Sequence, residues 1–177
     1  MAKGTGIAST TPAVGSYVYL SGESVSIDAT VSSGYTWSKW SGGSTSTTKK
    51  TSITMDAKKT VTANATENTI TFNYYTNNGS QTKFVTWTAK PSTSWPNNHY
   101  NYTSGATYAQ TAPAGYVSTG YYGTSAGSNY SVGGTRIEQD YSFASYADLC
   151  EAYGVDVSTA STTINLYCEW KPIDYQI

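Results

Sequence analysis

The chain has 177 residues and a net charge of −1, and only 12% of its side chains are charged, against roughly 25% in ordinary soluble domains. Its few Lys residues stand scattered, as Lys49-Lys50, Lys58-Lys59 and singles, so a phosphate-tracking surface and a polybasic membrane patch are excluded, and nucleic acid with them. No apolar run approaches the ~18 residues that span a bilayer, and Met1-Ala2-Lys3-Gly4-Thr5-Gly6 has no apolar export stretch, which argues against membrane insertion.

Leu, Ile, Val and Phe together number only 24, but 17 Tyr and 5 Trp accompany them. Each such ring covers about 150–250 Å², so the core is expected to be aromatic. Ser, Thr, Gly and Asn fill the surface, a neutral, hydroxyl-rich composition associated with proteins outside the cytoplasm. With no export signal, the chain reads either as a piece of a longer secreted protein or as an intact one that reaches the outside by assembly, as a virion component would.

Along the chain, the first regular signal is Ser24 to Val31, where Val25, Ile27, Ala29 and Val31 alternate with polar residues as in a half-buried strand. An aromatic kernel follows: Gly34-Tyr35-Thr36-Trp37-Ser38-Lys39-Trp40-Ser41-Gly42-Gly43. After a short apolar pair at Ile53 and Met55, Lys59 to Thr66 alternates again with Val61, Ala63 and Ala65 inward. The link at Glu67-Asn68 is short, so two units abutting one another are expected, without a flexible tether.

Thr69 to Tyr75 and Thr82 to Thr88 flank Asn77-Asn78-Gly79-Ser80, and Asn-Gly predicts a hairpin because both residues tolerate positive φ. Residues 89–114 are polar, bracketed by Pro and rich in Tyr and Asn, which reads as a long loop. A second kernel, Gly115-Tyr116-Val117-Ser118-Thr119-Gly120-Tyr121-Tyr122-Gly123, then repeats the Gly-Tyr-x-x-aromatic grammar of the first.

Near 145–153 the spacing of Tyr146, Leu149, Cys150 and Tyr153 predicts one short helix, capped by Ser145 and Asp148 and stopped by Gly154. So short a helix needs a sheet to pack on. Thr163 to Trp170 closes the chain as an alternating strand with Ile164, Leu166, Cys168 and Trp170 inward. The fold class is therefore α+β, mostly β, in two tandem small domains at 1–67 and 68–177, the second carrying the helix and the long aromatic loop.

These residues carry a resemblance. Thr69-Ile-Thr-Phe-Asn-Tyr-Tyr, Ala114-Gly-Tyr and Ile164-Asn-Leu-Tyr-Cys-Glu-Trp170 resemble the internalin-type B-repeat, a β-grasp-like module found in tandem on bacterial surface proteins. Gly4-Thr-Gly-Ile, Gly34-Tyr-Thr-Trp-Ser-Lys-Trp40, Thr54-Met-Asp-Ala and Val61-Thr-Ala-Asn-Ala65 are similar to the divergent version of that repeat. The resemblance implies two β-grasp-like domains, adhesion or spacing on a cell surface, and no defined active site. The first copy departs from the pattern by seeming short of its opening strand, which leaves an open sheet edge, and the second by its insertion at 89–114.

Chemistry-bearing residues are few. His99 is the single histidine and no Asp or Glu stands within ten residues of it, so a loop histidine is expected before a triad. Neither Cys lies in a Cys-x-x-Cys spacing and the acids never reach calcium-loop density, so neither metal nor cofactor is expected. Cys150 and Cys168 both point inward by periodicity, which leaves open a disulfide that would contribute about 3 kcal/mol or two buried thiols behaving as small hydrophobes.

One candidate recognition surface stands out: Trp87, Trp95, Tyr100 and Tyr102 interleaved with Asn97, Asn98 and His99. Rings beside amides suit glycans, but the same rings fit a core, and core filling is favoured because exposed Trp is uncommon without a partner. The expected function is a non-enzymatic, extracellular structural or adhesive module of a bacterial cell surface, with neighbouring repeats or protein subunits as partners. A subunit of an assembled virion or filament surface is the second reading, and a carbohydrate-binding module for host or environmental glycans the third.

Overall fold

The computed structural model describes residues 1–98 and 110–175. The fold is mostly β with a single short helix among the described residues, in the expected α+β class. Two compact units divide the chain, Met1–Asn68 with Val157–Ala160, and Thr69–Asp156 with Ser161–Ile177. The first unit thus takes in a short segment from late in the sequence, tied there by Asn68 Nδ2, which donates to the Val157 carbonyl at 2.7 Å.

The first unit holds six strands: β1 (Ala2–Lys3), β2 (Ile7–Thr11), β3 (Ser24–Val31), β4 (Tyr35–Gly42), β5 (Thr51–Thr54) and β6 (Val61–Glu67). They form two three-stranded sheets, ordered β1-β6-β4 and β2-β3-β5. The alternation read from the sequence sets the core: Val25, Ile27 and Ala29 of β3 meet Val61 and Ala63 of β6 around Ile7 and Trp40. Trp37 and Trp40 are three residues apart, an odd spacing that would place them on opposite faces of a regular strand. A register shift solves this. Trp37 pairs with Ala65 and Trp40 with Ala63, so three steps on β4 match two on β6 and both indoles turn inward, edge to face at 5.2 Å.

The second unit is built on a five-stranded sheet from β7 (Thr69–Tyr75), β8 (Lys83–Ala89), β10 (Tyr116–Ala126), β11 (Val132–Glu138) and β13 (Ser161–Pro172), ordered β11-β10-β13-β7-β8. A two-stranded ladder joins β9 (Asn97–Asn98) to β12 (Ser142–Phe143), and helix α1 spans Tyr146–Ala152. β7 and β13 are parallel neighbours in full register from Thr69↔Ser161 to Tyr75↔Tyr167; a parallel pair needs a long crossover, and the chain between them includes the helix. Ser145 caps α1 by accepting from the Asp148 N–H at 3.1 Å, while Asp148 Oδ2 accepts from the Ala144 N–H at 2.8 Å. These bonds satisfy donors that the first helical turn leaves over. Tyr146, Leu149 and Cys150 form the buried stripe of the helix.

Aromatics fill this second core, as composition demands. Ile70, Phe72 and Tyr74 of β7 and Leu166, Cys168 and Trp170 of β13 are all buried. Phe72 stacks on Trp87 at 5.3 Å, and Tyr74 meets Tyr122 edge-on at 5.1 Å. The buried Trp170 Nε1 donates to the Thr76 carbonyl at 2.9 Å, which removes the cost of hiding an indole N–H.

The two kernels are the same construction. Gly34 and Gly115 both adopt φ 81°, and the N–H after each donates three residues back, Tyr35 to Ser32 at 3.2 Å and Tyr116 to Pro113 at 3.0 Å. Each kernel glycine then accepts from the residue just beyond a closing strand, Asn68 to Gly34 at 2.9 Å and Ile173 to Gly115 at 2.8 Å. In both units the closing strand lies between an antiparallel kernel strand and a parallel opening strand, as β1-β6-β4 and as β7-β13-β10. The opening strand differs most, with two residues in β1 and seven in β7.

Candidate functional site

On the sheet face of the second unit opposite the core, the polar phase of each strand forms a continuous ladder. Asn73 pairs in register with Asn165 and Tyr75 with Tyr167. Thr86 donates to Asn73 Oδ1 at 2.9 Å, Asn73 Nδ2 to Asn165 Oδ1 at 3.3 Å, and the rings of Tyr75 and Tyr167 stack at 5.2 Å.

Beyond Tyr167 the face becomes ionic. Arg136 lays its guanidinium over the Tyr121 ring, 3.5 Å from the centroid, and donates from Nε and Nη2 to Glu169 at 3.0 and 2.6 Å. Thr119 Oγ1 donates to the same carboxylate at 2.6 Å, and the Tyr121 hydroxyl donates to Glu138. Partial burial pushes the Glu169 carboxyl up, but the bonds from Arg136 and Thr119 outweigh it and hold the group below the usual range. The bond to Glu138 raises the Tyr121 hydroxyl, so it stays protonated. A cluster so internally paired stiffens the sheet and presents a fixed pattern of amides, rings and one ion pair.

The residues singled out from sequence are scattered over different roles. Trp87 is not on the surface: it is 5% exposed and stacked in the core on Phe72, because the alternation of β8 puts Trp87 and Ala89 on the buried side. Trp95 is half-buried, and its Nε1 is out of solvent with no acceptor among the described residues. Asn97 is buried at β9, its Nδ2 donating to the Ser94 carbonyl at 3.1 Å, and Asn98 reaches the Asp140 carbonyl at 3.4 Å. His99, Tyr100 and Tyr102 lie outside the described residues. No platform joining Trp87 to Asn97 and Asn98 exists on the surface.

Cys150 and Cys168 are both buried and both thiols; the disulfide left open by the sequence is not formed. Burial pushes the Cys150 thiol above its ordinary value, and a protonated thiol in an apolar setting is inert toward oxidation. Burial likewise raises the Tyr146 and Tyr153 hydroxyls. Among the described residues, no three His, Cys, Asp or Glu side chains gather where a metal could be held.

The first unit has a surface of another kind. Val14, Tyr17, Val18 and Leu20 are 55%, 47%, 99% and 78% exposed. Val14, Tyr17 and Val18 border a groove of about 690 Å³ whose lining includes Val25, Ile27, Ile53 and Val61.

Residues 2–69, closed by the Gly34 kernel and centred on Trp40, match a known family. The model they match is that of the divergent InlB B-repeat domain. The match covers most of the first unit, without Val157–Ala160, and the first residue of β7. No curated protein and no solved structure matches the chain. No helix of the described residues is long and apolar enough to cross a membrane. The ladder of β7 and β13 was legible only as the polar phase of two alternating strands, and nothing in that alternation singled out Arg136 or Tyr121, which reach it through the shifted register of β10.

Proposed function

We propose that this chain is a non-enzymatic structural or adhesive repeat module of a bacterial surface protein, acting outside the cell with neighbouring repeats as its partners. The observation that carries the reading is the shared closure of the two units: one kernel glycine conformation, one turn and one strand order, in a chain whose residues 2–69 match the divergent B-repeat. A device used twice in series serves length and displayed surface, and the neutral, amide-rich sheet face suits display. In this reading the second unit is itself B-repeat-like, with α1 and the 89–114 segment added to the common frame. Antibody raised against the chain is expected to label intact cells that encode it, and protease treatment of those cells is expected to abolish the label. Labelling that appears only after permeabilisation overturns the proposal.

A second reading, assembly into a particle or filament surface, is favoured by one feature, the exposed Val14, Tyr17, Val18 and Leu20 beside their groove. Exposed apolar side chains continuous with an apolar groove support association between copies. Light scattering at rising concentration tests it: a mass that stays monomeric at millimolar protein disposes of this reading, and growth in mass that Val18→Ser with Leu20→Ser suppresses supports it.

A further inference from the structure

Between the β7–β8 loop and the turn after β10 lies a second hollow, about 520 Å³ in volume and within the ~300–1,000 Å³ of small-molecule sites. Asn77, Gly79, Gln81, Ala114, Tyr116, Gly127, Asn129 and Tyr130 line it, and none of them carries a charge. The backbone there is unusual. Among the described residues, four non-glycine residues have positive φ, Asn77 at 47°, Gln81 at 48°, Asn129 at 51° and Tyr130 at 60°, and all four line this one hollow. Left-handed backbone is uncommon outside glycine and is an outlier for a residue as bulky as Tyr. Such conformations persist where surrounding structure imposes them, and they gather at ligand sites.

The imposing structure is visible. Asn77 is 2% exposed and its Nδ2 donates to the carbonyls of Tyr130, Ser131 and Cys168 at 3.2, 3.1 and 3.0 Å. Its Oδ1 accepts from Gln81 Nε2 at 3.1 Å. One buried amide thus clamps the hairpin loop to the turn opposite and fixes the floor. Around that floor, Gln81 and Asn129 are both exposed, Gln81 uses only its Nε2 on Asn77, and Asn129 makes no side-chain hydrogen bond to another described residue, so both offer amide groups at the rim. Tyr116 and Tyr130 meet edge to face at 4.9 Å and 88°, one showing its ring face and the other its edge.

We infer that this hollow binds a neutral saccharide. Sugar hydroxyls both donate and accept, as the amides of Gln81 and Asn129 do, and the apolar C–H face of a pyranose packs on an aromatic ring. A phosphate or an acidic sugar would find no cation in the lining, and a metal no carboxylate. Two perpendicular rings offer no parallel ridge for a proline helix. The site is distinct from the Trp87 to Tyr102 stretch, and it goes beyond the surface-module reading, which requires no ligand.

The test uses the full chain on a printed array of neutral and acidic oligosaccharides, with a proline-rich peptide in a parallel well. Neutral oligosaccharides are expected to be retained, and in a titration with the best of them the backbone amide signals of 77–81, 114–116 and 127–130 should shift. Gln81→Gly with Asn129→Gly removes both rim amides and relieves two strained positions, so it should bind at least tenfold more weakly while melting at the same or a higher temperature. Trp95→Ala should bind as the parent does. The inference is overturned if the array retains only acidic glycans or nothing, if the peptide alone binds, if the shifts fall elsewhere, or if the double glycine variant binds undiminished.

Discussion

Gly34 and Gly115 hold the same conformation, start the same kind of strand and accept a hydrogen bond from the same place, one residue past a closing strand, yet the cores they close have little in common. The first unit fills with Val25, Ile27, Val61 and one fully buried indole, Trp40, against which Trp37 packs. The second fills with Phe72, Tyr74, Trp87, Tyr122, Phe143 and Trp170 around a capped helix. The difference teaches that the kernel is a backbone device. It needs a residue at positive φ, a bulge and a strand returning beside it, and it tolerates any packing that reaches native density.

The sharpest way to break that comparison is to empty the core of one unit and watch the other. Trp40→Ala removes a fully buried indole and is expected to cost about 3–5 kcal/mol, with hydrogen exchange rising across β3, β4 and β6. If the kernels close their units separately, amides of β7 and β13 keep their protection in the same sample.

Asn77 has no counterpart in the first unit, so its loss should fall on the second alone. Asn77→Ala withdraws the amide that three carbonyls share and leaves at positive φ a residue that tolerates it less well than Asn, for an expected loss of about 2–3 kcal/mol by chemical denaturation. Asn77→Gly keeps the backbone free of strain and isolates the hydrogen bonds; it should recover about 1 kcal/mol of that loss.

The kernels themselves are compared by Gly34→Ala and Gly115→Ala. A Cβ on Gly115 meets nothing within 4 Å, so its cost is that of left-handed backbone alone, about 1–2 kcal/mol. A loss at Gly34 within a few tenths of that value, from urea midpoints, marks the two turns as one device. A much larger loss at Gly34 breaks the equivalence.

The smallest effect belongs to the ionic end of the second sheet. Glu169 is held below its ordinary value by Arg136 and Thr119, so its contribution is present above the unfolded carboxyl range near ~4.3 and is lost as pH falls through the lower folded value. Being a pair at the surface, it is worth up to about 1 kcal/mol. Denaturation midpoints of the parent and Glu169→Gln, taken at pH 7 and pH 3, should differ at the first and converge at the second.

Much of the frame was legible because it depends on short-range patterns. Ser24 to Val31 alternates and is a strand with Val25, Ile27 and Ala29 buried. Ser145, Asp148 and Gly154 bracket a helix, and α1 lies between them. The hairpin at 77–80 was legible too, but not its form. Tyr75 pairs with Lys83, and the positive φ values fall on Asn77, Gly79 and Gln81 while Asn78 keeps an ordinary one, since Asn77 is drawn to carbonyls more than fifty residues away. Trp87 was a candidate for both surface and core, with the core favoured, and it lies in the core. Its neighbours in sequence are polar, and only the pairing of Phe72 with Trp87 across the ladder turns it to the core.

By itself, then, the order of residues determined the class, the two kernels, the helix ends and the likeness of residues 2–69 to the divergent B-repeat, because caps, turns and period-two burial are settled within a few residues. Tertiary structure alone decided that Cys150 and Cys168 stay thiols, that Arg136 reaches Glu169, and that Asn77, Gln81, Asn129 and Tyr130 share one hollow. Those outcomes rest on strand register and on contacts between distant segments, where a shift of one residue turns a side chain to the other face.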